Sequence, residues 1–128
     1  MLPILMTGET YAAIAKAADR LETTMDNPLY RVAADWLNSP NPGTTSERIE
    51  QQISYAAPAK ASLLIEEADA FFAPRQQAQT APGEPLVDIH MLVKRFTDED
   101  IPVIFTIKDE ALAKRISDET GWTLKIAG

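Results

Sequence analysis

Met6-Thr7-Gly8 runs straight into Glu9-Thr10 and a helical pattern, and it is the first stretch whose residue types and spacing could do chemistry. A strand that passes through Thr-Gly into a helix N-terminus offers free backbone N–H groups and the positive end of a helix dipole. That layout binds phosphate and other anions in many α/β proteins. The stretch has no Gly-rich loop and no Lys followed by Ser or Thr, so it is not a P-loop, and an ordinary αβ turn uses the same residues. His90 is the only histidine. Beside Asp88 and one turn from Lys94 it could serve as a base or a ligand, but one histidine cannot build a His-rich metal site. A surface or partly packed side chain is the reading adopted. The chain has no cysteine, which removes a thiolate nucleophile, a disulfide framework and Cys-ligated zinc. It also has no G-x-S-x-G, so a serine nucleophile elbow is absent.

The elements that position these residues must come from one small core. A chain of 128 residues matches the commonest domain size, and 45% hydrophobic with 24% charged residues is the composition of a folded protein. Twelve basic against nineteen acidic residues give a net charge of −7. This balance opposes nonspecific attraction to nucleic acid or anionic lipid, while leaving room for a local basic patch or a metal-dependent nuclease site. The first residues lack the basic n-region of a signal peptide, and no apolar run is long enough to span a bilayer. The expectation is a cytoplasmic protein.

Along the chain, Leu2 to Met6 reads as a buried strand that begins after Pro3. Tyr11, Ile14, Ala15, Ala18 and Leu21 recur at helical spacing, with Thr7 or Thr10 as the cap. Asn27-Pro28 is expected to open an amphipathic helix through Leu29, Val32, Ala33, Trp36 and Leu37, with Trp36 in the core. Thr44 and Glu47 form a capping-box pattern for a helix carrying Ile49, Ile53 and Ala56. Pro58 is expected to kink that helix or start another through Ala61, Leu64, Ile65, Ala68 and Phe72, leaving Glu66-Glu67 on a solvated face. The expected organisation is one domain over 1–128, with a helical middle at 10–73, a mobile loop at 74–85 and an αβαβ tail at 86–127. In the tail, Leu86, Ile89, Leu92, Val93 and Phe96 make a helical stripe. Ile101 to Phe105 reads as a central parallel strand, Thr106 with Asp109 caps a helix stopped by Gly121, and Trp122 to Ile126 closes as a strand. The fold class is therefore α/β: a small, mainly parallel sheet with helices on both faces. Its ligand edge should include the loop from Thr106 to Asp109.

The order strand, several helices, then helix, strand, helix, strand resembles that of the PIN-domain nucleases. Leu86-Val87-Asp88-Ile89 opens one late helix, and Val103-Ile104-Phe105-Thr106-Ile107-Lys108-Asp109 follows it. In that family acidic residues at these two places join earlier carboxylates around Mg²⁺ or Mn²⁺ to cleave RNA. Asp88 matches the first place, and Asp109 approximates the second with an offset of one residue. The family's Asp at the end of the first strand is replaced here by Met6-Thr7-Gly8, with Glu9 the nearest carboxylate. The resemblance implies a divalent-metal ribonuclease using Asp88, Asp109 and Glu9, with Asp88 and Asp109 as the metal ligands, or a degenerate, noncatalytic relative. Two alternatives stand beside it: a noncatalytic module that binds a protein partner, and a small-ligand or phosphate-binding domain using the Thr7-Gly8 turn and the Thr106 loop.

Overall fold

The computed structural model describes residues 3–39, 41–72 and 89–127. Within them, five strands form one all-parallel sheet: β1 (Ile4–Gly8), β2 (Leu29–Ala33), β3 (Ser62–Glu66), β4 (Val103–Ile107) and β5 (Thr123–Ala127), in the spatial order β2-β3-β4-β1-β5. The helices are α1 (Tyr11–Thr24), α2 (Ala34–Leu37), α3 (Pro42–Ala59), α4 (Asp69–Phe72), α5 (Ile89–Asp98) and α6 (Glu110–Thr120). A parallel pair cannot be joined by a hairpin, so the chain returns across the sheet faces and covers both. The result is the three-layer α/β arrangement expected from the sequence.

Strand register separates the two layers of helices. Leu5 pairs with Phe105 and Leu124, Phe105 with Ile65, and Ile65 with Val32. These side chains lie on one face, where Ile53 and Ala56 of α3, Leu92 and Phe96 of α5, and the buried residues of α6 complete the main core. Phe105 is fully buried there, stacked on Trp122 at 6.0 Å and met edge-on by Phe72 at 5.2 Å. The alternate residues Met6, Leu64, Ile104 and Leu29 point to the other face. Ala18 of α1 buries against them, with Ala17 and Leu21 packed alongside. Ion pairs fasten the outer layers. Arg31 of β2 reaches Asp19 and Glu22 of α1 at 2.8 and 2.9 Å, and Arg95 of α5 joins Glu50 of α3 at 2.7 Å and Glu99 at 2.9 Å. The hydrogen bonds that Arg95 donates to Glu50, then to Glu99, hold its guanidinium above its ordinary pKa.

Much of the punctuation lies where the sequence puts it. Thr10 caps α1 by accepting from the Ala13 N–H at 3.0 Å. Gly121 ends α6 at φ +78°, a left-handed conformation that glycine adopts without a Cβ penalty. Two caps differ from expectation. Asn41, not Thr44, opens α3 by accepting from the Gly43 N–H, and Asp109 rather than Thr106 opens α6 by accepting from Leu112.

The helical middle is the main correction. Leu29–Ala33 is the edge strand β2, and the helix expected from Asn27-Pro28 shrinks to the single turn of α2. Leu29 and Val32 fit a helical spacing, but Tyr30 and Val32 pack on one side of a strand while Arg31 turns to α1 on the other. Trp36 is on the surface, 37% exposed, under the Arg48 guanidinium at 5.0 Å from its ring. Ser62–Glu66 is likewise the buried strand β3, not a helix. Continuous apolar runs do not distinguish helix from strand by periodicity, and here pairing on both sides, to β2 and β4, decides. The helix over Ile89–Asp98 and the strand over Val103–Ile107 agree with the reading of the tail. The loop expected at 74–85 lies outside the described residues.

Candidate functional site at the carboxyl edge of the sheet

α1 leaves β1 on one face and leads to β2 at the far edge, whereas α6 leaves β4 on the other face and leads across β1 to β5. The neighbouring strands β1 and β4 thus send the chain in opposite directions. That is a topological switch point, and in open α/β sheets ligands bind outside the carboxyl ends of the strands at such a point.

On the α1 face, the crevice edge is made by residues of matching register. Met6 pairs with Thr106, and the β3–β4 register that pairs Ile65 with Phe105 brings Glu66 beside Thr106. Glu66 is half-buried and ends β3, while Thr106 is buried. Lys108, two residues further along β4's exit, holds its ammonium 5.8 Å from the ring of Tyr11, the first residue of α1. A carboxylate, a cation and the N-terminus of a fourteen-residue helix therefore lie at the carboxyl edge of the sheet on its α1 face.

The turns that carry these groups are fastened to each other. The Thr106 hydroxyl accepts from the Glu67 N–H at 2.8 Å, and the Thr106 carbonyl accepts from the Ala68 N–H at 2.8 Å. The Asp69 carboxylate accepts from the Lys108 N–H at 3.0 and 3.1 Å and from the Asp109 N–H at 3.0 Å. These bonds hold Glu67 at φ +56°, a left-handed conformation unusual for a residue with a Cβ. The exits of β3 and β4 are thus hydrogen-bonded to each other through side chains and backbone.

Thr7 lies on the opposite, α6 side of β1, fully buried, and its hydroxyl has no hydrogen-bond partner among the described residues. An orphaned buried polar group costs about 1–3 kcal/mol. Thr7→Val keeps the shape and removes the hydroxyl, so it is expected to raise stability by about 1 kcal/mol. A urea midpoint that falls instead would show the hydroxyl to be engaged in the folded protein.

Of the residues singled out in the sequence, Glu9 and Asp109 come to neighbouring strand ends. Each lies two positions beyond the registered pair Thr7–Ile107. Both are exposed, and one oxygen of Asp109 is used as the α6 cap. Asp88 lies outside the described residues. Among the described residues, no group of three or more Asp, Glu or His side chains is placed to hold a metal ion. His90 is exposed on α5, with its ring 6.4 Å from that of Trp122. Glu66 and Asp69 escape sequence reasoning, because the spacing of the segment that carries them also fits a helix face. The signal was present in Leu63-Leu64-Ile65 followed directly by Glu66-Glu67: a short apolar run ending in carboxylates is what the exit of a buried strand looks like.

Compared with models of known protein families, the sequence matches none, and a search of curated proteins finds no similar sequence.

Proposed function

We propose that this chain is a small-ligand-binding α/β domain that holds a phosphate-bearing ligand of the nucleotide class at the β1–β4 switch point. The observation that carries the reading is the placement of the α1 N-terminus, Glu66 and Lys108 at one edge of the sheet on the same face, with Lys108 against Tyr11. The helix end favours an anion. Mg²⁺ arriving with phosphates needs only one or two protein carboxylates, because the phosphates and water complete its octahedron. In P-loop NTPases a carboxylate on a strand holds that ion, and Glu66 supplies one here. The loop Lys of those proteins is missing, and Lys108 offers a cation at the same edge from another strand.

Thermal unfolding with Mg²⁺ and ATP tests the reading. ATP with Mg²⁺ is expected to raise the melting temperature, and Glu66→Gln to weaken that binding about tenfold, as loss of a charged ligand to the ion would. Indifference to ATP, ADP, GTP and inorganic phosphate, with either Mg²⁺ or Mn²⁺, ends the proposal.

A second reading, a divalent-metal ribonuclease or its noncatalytic relative, is favoured by the side-by-side exits of Glu9 and Asp109. It differs in requiring a response to Mg²⁺ or Mn²⁺ alone that Asp88→Ala abolishes. Cleavage of single-stranded RNA dependent on Asp88, Asp109 and Glu9 would establish the active form.

A further inference from the structure

β5 is an edge strand. β1 pairs along one side of it, and no strand pairs with its other side among the described residues. Natural sheets cover or blunt such edges, since unpaired N–H and C=O groups template the addition of another strand. This edge is blunted only by its five-residue length and the single charge of Lys125. Ile126 is 57% exposed at its outer end, no proline interrupts Thr123–Ala127, and Leu124 on the same face is only half-buried.

On the opposite face, a groove of about 450 Å³ runs between β5 and α1. Met6, Ala17 and Leu21 are apolar residues lining it, and Arg20 and Lys125 are its cations. Neither Arg20 nor Lys125 has an ion-pair partner among the described residues, although the chain as a whole carries a charge of −7. Edge and groove are continuous: Lys125, Ile126 and Ala127 of β5 all border the groove, and strand alternation turns the Ile126 side chain, registered with Thr7, toward the other side of the sheet.

We propose that this edge docks an extended segment of another protein, which adds to the sheet beyond β5. Side chains alternate between faces along such a strand. Its residues on the α1 face are acidic and meet Arg20 and Lys125, and an apolar residue on the other face covers Ile126. A second copy of this chain fits poorly. Pairing β5 with β5 sets Lys125 and Arg20 against their own kind, and at the other sheet edge, β2, the carboxylates near the α1 face, Asp19 and Glu22, are already engaged by Arg31.

A fluorescein-labelled peptide of alternating Glu and Val is the probe, with its Lys and Val counterpart as control, read by fluorescence anisotropy on the full chain. The Glu-Val peptide is expected to bind saturably, more weakly at high salt, and the Lys-Val peptide at least about tenfold less tightly. Lys125→Glu and Arg20→Glu, both at exposed positions, are each expected to weaken binding by about three- to tenfold. Ile126→Lys should weaken it too, with the fold checked by circular dichroism, and amide exchange across Thr123–Ala127 should slow when peptide is bound. Absence of binding, equal affinity for the two peptides, or binding unchanged in the double charge reversal would overturn the proposal. So would concentration-dependent self-association that Ile126→Lys abolishes, which would make the occupant a second copy. None of these outcomes depends on the ligand crevice, because the edge lies beyond β1 from Glu66 and Lys108.

Discussion

Phe105→Ala is expected to destabilise the fold by about 3–5 kcal/mol, the range for deleting a buried aromatic ring. Three features put it at the upper part of that range. The residue is fully buried, it sits on β4 at the centre of the sheet, and its ring is packed against those of Trp122 and Phe72. Strands on both sides hold the backbone, so the site cannot easily collapse into the cavity. For a domain of this size the total stability is about 5–15 kcal/mol, and the variant could be left barely folded. The measurement is equilibrium urea denaturation followed by Trp fluorescence, to which Trp122 contributes together with the surface Trp36. A loss under about 1.5 kcal/mol, typical of volume-conserving swaps, would mean that the ring is not enclosed as described.

Asp69→Ala comes next, at about 2–3 kcal/mol, because hydrogen bonds to a charged group contribute about 1.5–3 kcal/mol. Its carboxylate takes the N–H groups of both Lys108 and Asp109, so the substitution unfastens the exits of β3 and β4 together. Asp69→Asn keeps an acceptor oxygen and should lose roughly half as much. The diagnostic readout is local. Amide exchange at Lys108 and Asp109 should accelerate in Asp69→Ala, and that at Leu63–Ile65 should change only with global stability. If the two regions change in parallel, Asp69 is acting on the whole fold and not on the turn. Under the ligand reading, the same variant should also weaken nucleotide binding, since Lys108 is carried on that turn.

The two ends of the chain were legible in the sequence because several kinds of signal agreed there. A buried run, a Thr cap and a glycine stop each fit one fold, and the strands and helices at Ile4–Thr24 and Ile89–Ala127 follow. The middle was not legible, for two physical reasons. Leu29, Val32, Trp36 and Leu37 satisfy a helical spacing by coincidence, while the pairing that makes a strand of Leu29–Ala33 comes from Ser62–Glu66, far along the chain. Ser62–Glu66 itself is apolar on both faces because helices or strands cover it all round, and such a run carries no period to read. The site suffered from the same gap. The Thr106–Asp109 exit lies at the carboxyl edge of the sheet as the sequence implies, but Glu66 and Asp69 reach that edge only when their segment is a strand. Trp36 shows the converse: an indole at a core-like spacing is on the surface, held by Arg48 through its ring and by a hydrogen bond to its carbonyl.

The strand order also carries a consequence for how the chain acquires its shape. β1 is made first but pairs only with β4 and β5, so Ile4 must wait for Ile104 and Thr123. The pairings of β1 are therefore the sheet's most non-local contacts, and loop closure must be met before they give any return. β2 and β3 are closer in sequence and can form a smaller nucleus with α3. Until the final quarter of the chain arrives, β1 is an apolar strand with two open edges, which makes it the segment most exposed to misassembly during folding.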